Sequence, residues 1–86
     1  MTIIFHSSFK RRYAKIPIKI RRKFDERLFL FEKGQFYPLL NNHPLGGDRE
    51  GQWSINITGD WRAVYIPKGE YTVVFIDIDT HSNLYK

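Results

Sequence analysis

The chain contains no cysteine, so neither disulfide staples nor thiolate-held metal sites can contribute to it. That composition fits a reducing compartment such as the cytosol. No apolar run approaches the roughly 18 residues of a membrane span, and the opening MTIIF is too short, and lacks the basic flank, for a secretory leader. Local metal patterns are missing too. There is no His-Glu-x-x-His and no pair of histidines at i,i+4, so no metal and no cofactor is expected. Phosphate-binding glycine loops, dinucleotide fingerprints and nucleophile elbows are likewise absent.

Acidic residues are scarce in the first half. Residues 1–43 hold ten Lys or Arg against three Asp or Glu, whereas residues 44–86 hold four against six. Eight of the cations form one block: Lys10, Arg11, Arg12, Lys15, Lys19, Arg21, Arg22 and Lys23. With a net charge of +5, such a block points to a polyanionic partner: RNA, DNA, a ribosome or an acidic protein segment. The competing reading is a solvated helical face in a basic protein.

What is present describes one small domain, residues 1–86, with 42% hydrophobic and 16% aromatic residues, so large rings carry much of the burial. TIIFH reads as a first strand. Ser7 or Ser8 is suited to capping a helix that runs to about Lys15, with Phe9 and Tyr13 on one face. Pro17 fits the first turn of a second helix, in which Ile20, Phe24, Leu28 and Phe31 recur at helical spacing up to a stop at Gly34. LLNNHPLGGDREGQ reads as a loop. Three strands follow, QWSINIT, WRAVYIP and YTVVFIDI, joined by GD and KGE turns. The order β-α-α-β-β-β predicts an α+β domain, with two N-terminal helices on one face of an antiparallel-rich sheet and a short C-terminal turn. The other sheet face is expected to be partly open and polar.

Candidate chemistry collects in three places: His43 in the loop, Asp60-Trp61-Arg62 at a strand start, and His81 with Tyr85 in the tail. If the tail forms one helical turn, His81 and Tyr85 share a face. Two imidazoles, a carboxylate, a guanidinium and a phenol are what metal-free RNA cleavage requires. A base takes the 2′-OH proton, an acid protonates the leaving 5′-oxygen, and a cation steadies the phosphorane. Each residue also has a plainer role. His43 precedes a proline in a loop, Asp60 suits a hairpin turn, and Arg62 can face solvent. Trp61 can stack an unpaired base, but it alternates with Ala63 and Tyr65 as a core residue would. Asp77 and Asp79 read as residues that cap or end the sheet.

The segments HPLGGDREGQWSINITGDWRAVY and DTHSNLY resemble the RelE/ParE superfamily of toxins from prokaryotic type II toxin–antitoxin systems, most of all its YafQ-like branch. The order of elements matches along the whole chain, while the specific motifs cover residues 43–85. The resemblance implies a cytoplasmic, ribosome-dependent endoribonuclease that cuts mRNA, with an antitoxin protein as its inhibitor. Carried over by position, it implies catalytic roles for His43, Asp60 and His81, with His81 as general acid and either Asp60 or His43 as base. Arg62 would stabilise charge, Tyr85 would orient or stack the substrate, and the basic block with Trp61 would contact RNA and the ribosome. Two departures stand out: Asn56 replaces a branch histidine, and Asp77 replaces a branch arginine, putting a carboxylate where phosphate would be repelled. The rival functions are a gyrase inhibitor of the same fold and a non-enzymatic basic nucleic-acid-binding module.

Overall fold

The computed structural model describes residues 1–85. Strand β1 (Thr2–Phe5) leads into helices α1 (Ser7–Tyr13) and α2 (Ile18–Lys33). A short strand β2 (His43–Pro44), flanked by two 3-10 turns, precedes β3 (Trp53–Asn56), β4 (Trp61–Pro67) and β5 (Thr72–Thr80), and a single-turn helix α3 (His81–Leu84) follows. The sheet runs β1-β5-β4-β3-β2. All neighbours are antiparallel except β1 and β5, which pair in parallel with Thr2 opposite Thr72. The α+β class is the one expected from the sequence, and the expected helices and strands occur in the expected order, with one further strand, β2, between α2 and β3.

The differences are local. His6, not Ser7 or Ser8, caps α1: its Nδ1 accepts the Ser8 amide at 3.1 Å. Ser8 is thereby free to donate its hydroxyl to the Ile76 carbonyl, 2.7 Å away. Pro17 lies one position before α2, not within its first turn. Gly34 ends α2 with extended backbone at φ −170°, so no left-handed cap is involved. Its role is spatial: a Cβ there would come within 2.8 Å of the Tyr37 ring. The segment expected to be all loop contributes the edge strand β2, whose His43 pairs with Ser54.

The core lies between α1, α2 and one face of the sheet. Phe75 on β5 is its hub, with its ring centroid 5.4–5.9 Å from those of Phe5, Phe9, Phe24, Phe31 and Tyr65. Most of these pairs are tilted or edge-on, the arrangements aromatic quadrupoles favour. Trp53 and Trp61 pack against this cluster, so Trp61 follows the core alternation of its strand. The opposite face is less open than the polar pattern implied. Ser54, Val64 and Leu84 are buried there, because α3 folds back over the sheet.

Two outcomes are expected. Phe75→Ala should cost about 3–5 kcal/mol in urea unfolding, since it empties the hub of the ring cluster. Burial holds the Tyr65 phenol above its ordinary value of 10.0. Its neutral form is therefore favoured in the folded state. The stability it contributes is present below pH 10 and is lost as pH rises through the raised folded value. Tyr65→Phe should remove that part of the alkaline loss, measured by thermal melts across pH.

Candidate active site

The site is built on a mismatch in strand length. β5 has nine residues and β1 only four, so β5 from Ile76 onward has no strand on that side. Helix α1 lies along the bare edge. The Ser8 hydroxyl satisfies the Ile76 carbonyl in place of a strand amide. One turn further on, Arg12 reaches around the edge and donates Nη1 to Asp79 Oδ2 at 2.7 Å, with its Nε 3.6 Å from Asp77 Oδ1. Asp79 is 8% exposed, and its other oxygen accepts from the Thr80 amide and from Asn83 Nδ2 at 3.0 Å. A buried carboxylate needs such partners, since an unpaired one costs several kcal/mol.

Asn83 belongs to α3, so this carboxylate ties the tail to the sheet. Thr80 caps the same turn by accepting the Asn83 amide on Oγ1 at 3.3 Å. Arg49, from the turn after β2, adds a second tie: its Nε donates to the Leu84 carbonyl at 3.1 Å and its Nη1 to Gln52 at 2.8 Å. Arg49 Nη2 also stands 4.0 Å from Asp77. Asp77 is thus placed between two guanidiniums, and its charge is offset locally. The sequence reading missed Arg49 altogether. Its only signal was a lone cation in a glycine-rich loop, and its partners are remote in sequence.

The tail delivers what the i,i+4 spacing promised. The His81 and Tyr85 rings share one face, with centroids 4.6 Å apart. The His81 amide donates to the Asp60 carbonyl at 2.7 Å, which fixes the start of α3 against the β3–β4 turn. Among the described residues no hydrogen bond engages the His81 imidazole, and the ring is exposed. The Asp60 carboxylate is exposed as well. Arg62 is more committed than its sequence position suggested. It donates to the carbonyls of Thr58, Gly59 and Trp61, so it braces the turn that carries Asp60 and retains two of its five donors for a ligand.

His43 stands apart from this group. Across the sheet it shares a row with Ser54, Val64 and Asp77, three strand spacings or about 14 Å from β5. Its Nδ1 lies 2.7 Å from the Asn41 carbonyl, and Asn41 is in the left-handed region at φ 45°. A carbonyl only accepts, so Nδ1 carries the proton and Nε2 of the neutral ring keeps its lone pair. Ser54 Oγ and Asn56 Oδ1, on the same face, are buried without a hydrogen-bond partner among the described residues. The basic block divides: Arg12 is engaged by the acidic pair and Arg21 lies over the Tyr13 ring, while Lys10, Arg11, Lys15, Lys19 and Arg22 are exposed.

Asp79→Ala should cost about 2 kcal/mol or more, because it strips acceptors from the Thr80 amide, Asn83 and Arg12 together. Amide hydrogen exchange should rise in residues 80–85 beyond the rise elsewhere in the sheet.

No protein-family model and no curated protein matches the sequence. Solved structures do. The YoeB/ParE toxin from Agrobacterium tumefaciens is 25% identical with a TM-score of 0.76, covering 94% of this chain and 99% of its own. YafQ from E. coli is 16% identical with a TM-score of 0.81, covering 98% and 97%. In the RelBE2 toxin–antitoxin complex from Mycobacterium tuberculosis, the matched chain is 26% identical with a TM-score of 0.65, covering 93% and 96%. Over nearly its whole length, then, this chain is similar to toxins of the RelE/ParE superfamily, and its fold follows that of YafQ.

Proposed function

We propose that this chain is the toxin of a type II toxin–antitoxin system and acts as a ribosome-dependent mRNA endoribonuclease in the prokaryotic cytoplasm. The observation that carries the proposal is the latched tail. A turn of four residues is far too short to be stable alone. Here it is held at Asp79, Arg49, Thr80 and the Asp60 carbonyl, and what it presents is an unengaged imidazole beside a phenol. A tail that only closed the sheet would not need that group held so firmly.

In the reaction, the ribose 2′-oxygen attacks the adjacent phosphorus and the bond to the 5′-oxygen breaks. His81 donates its proton to the leaving 5′-oxygen. In-line displacement puts acid and base on opposite sides of the phosphorus. Asp60 adjoins His81 in the backbone and so stands on the acid's side, which leaves the base to His43 although its strand lies about 14 Å across the sheet from β5. His43 also has the tautomer the base needs, with the Nε2 lone pair open. Asp60 then contributes negative charge next to the acid. The remaining Arg62 donors steady the phosphorane, and Tyr85 orients or stacks the nucleotide. Asp77 does not defeat this arrangement, since Arg12 and Arg49 flank it. Lys10, Lys19 and Arg22, exposed on α1 and α2, would contact ribosomal RNA. The inhibiting partner is an antitoxin protein, in keeping with the toxin–antitoxin complexes among the similar structures.

His81→Ala should fold as wild type yet lose about 10²–10⁴-fold in cleavage rate. The assay is primer extension on a defined mRNA in a translation reaction, with and without ribosomes. Retained cleavage in the folded variant would remove His81 from the reaction. Salt-sensitive RNA binding with no cleavage by wild type would favour the non-enzymatic binding module.

A further inference from the structure

A cavity of about 490 Å³ opens beside the tail, between α1 and β5, and Arg11, Arg12, Lys15, Arg49 and Asp77 line it. Four cations face one carboxylate there. Asp77 is matched by Arg12 and Arg49, and Arg12 is further engaged by Asp79. Arg11 and Lys15 make no ion pair or side-chain hydrogen bond among the described residues, so the cavity keeps a positive excess. Cations near the carbonyl end of α1 are favoured by the helix dipole, which accounts for some of them. It does not account for Arg49, which enters from a turn far away in sequence and completes the cavity from the opposite side. Arg49 is also the wall shared with a neighbouring cavity of about 530 Å³, lined by Gln52, Leu84 and Tyr85.

We infer that the Arg11–Arg12–Lys15–Arg49 cavity is a phosphate subsite for single-stranded RNA, holding a phosphodiester that flanks the nucleotide beside Tyr85. The inference rests on the nuclease reading for the direction of the strand, but the binding it asserts can be measured without cleavage. Guanidinium forks match phosphate oxygens in pairs, and Lys15 adds a point charge at the rim. A strand crossing Arg49 would pass from the cavity lined by Tyr85, where Asp48 on the rim is the one carboxylate without an ion pair among the described residues, into the cationic one, where Asp77 is matched by Arg12 and Arg49. Because Arg49 also holds the Leu84 carbonyl, a phosphate bound there adjoins the group that fixes the tail.

The probe is a short RNA oligonucleotide with 2′-O-methyl riboses, which cannot be cut because the nucleophile is blocked. Arg11→Ala/Lys15→Ala changes two exposed side chains that brace nothing. It should bind the probe about tenfold more weakly, with the log–log salt slope reduced by about one to two. The charge-matched control Lys33→Ala/Lys68→Ala should stay within about twofold of wild type, as its lost charges lie outside the subsite. In wild type, the probe should shift the amide resonances of Ser8, Arg11 and Arg12. Unchanged affinity in the cavity variant overturns the inference. So does an equal loss in the control, which would mean a diffuse field. Inorganic phosphate that shifts these amides at matched ionic strength, while the RNA does not, overturns the RNA assignment in favour of a free anion. Absence of ribosome-dependent cleavage would sink the nuclease reading and leave this binding result standing.

Discussion

The structure turns on an unpaired strand edge. β5 continues five residues beyond the end of β1, and the exposed backbone of that extension must be satisfied. A sheet can close an edge with another strand or cover it with a helix. This chain does the latter: α1 follows β1 after a single residue, and its polar side supplies Ser8 to the Ile76 carbonyl and Arg12 to Asp79. Its apolar side carries Phe9 into the ring cluster around Phe75. A seven-residue helix has little stability of its own, so tertiary contacts on both sides hold it in place.

From that edge the remaining features follow in order. The β5 extension pairs with the start of β4, with Trp61 opposite Thr80, and the ladder ends where the Asp60 carbonyl meets the His81 amide. The chain then turns back against β5, and Leu84 is buried. Asp79 is the junction, because a single side chain receives α1 through Arg12 and α3 through Asn83. Removing either partner leaves a buried charge short of acceptance or donation, which is costlier than losing a surface pair.

Much of this was legible in the sequence and some was not, for physical reasons. Period-two alternation located β3 and β4, and helical spacing located α2, because each pattern is local and answers to one buried face. The i,i+4 relation of His81 and Tyr85 was equally local. The roles of Asp77 and Asp79 were not: Arg12 and Asp79 are 67 residues apart, and no local pattern reports such a pairing. Read alone, Asp77 looked like a charge that phosphate would avoid, and only the fold reveals its two guanidinium neighbours. Arg62 went the other way, since a strand-start arginine gives no hint that three turn carbonyls will occupy it. The His6 cap was hidden because serine is the commoner choice at that position.

The parallel pairing of β1 with β5 has a kinetic consequence. Thr2 meets Thr72, so the first strand waits for nearly all the chain before it has a place in the sheet. Closing so long a loop costs entropy before any contact repays it, and non-local pairing of this kind slows folding relative to local helix formation. On a ribosome, β1, α1 and α2 emerge early, with their aromatic faces uncovered, and the edge that Arg12 grips does not yet exist. His43 and the tail are therefore brought into register only when residue 80 becomes available. A growing chain carries the parts of the candidate site before it has the sheet that assembles them.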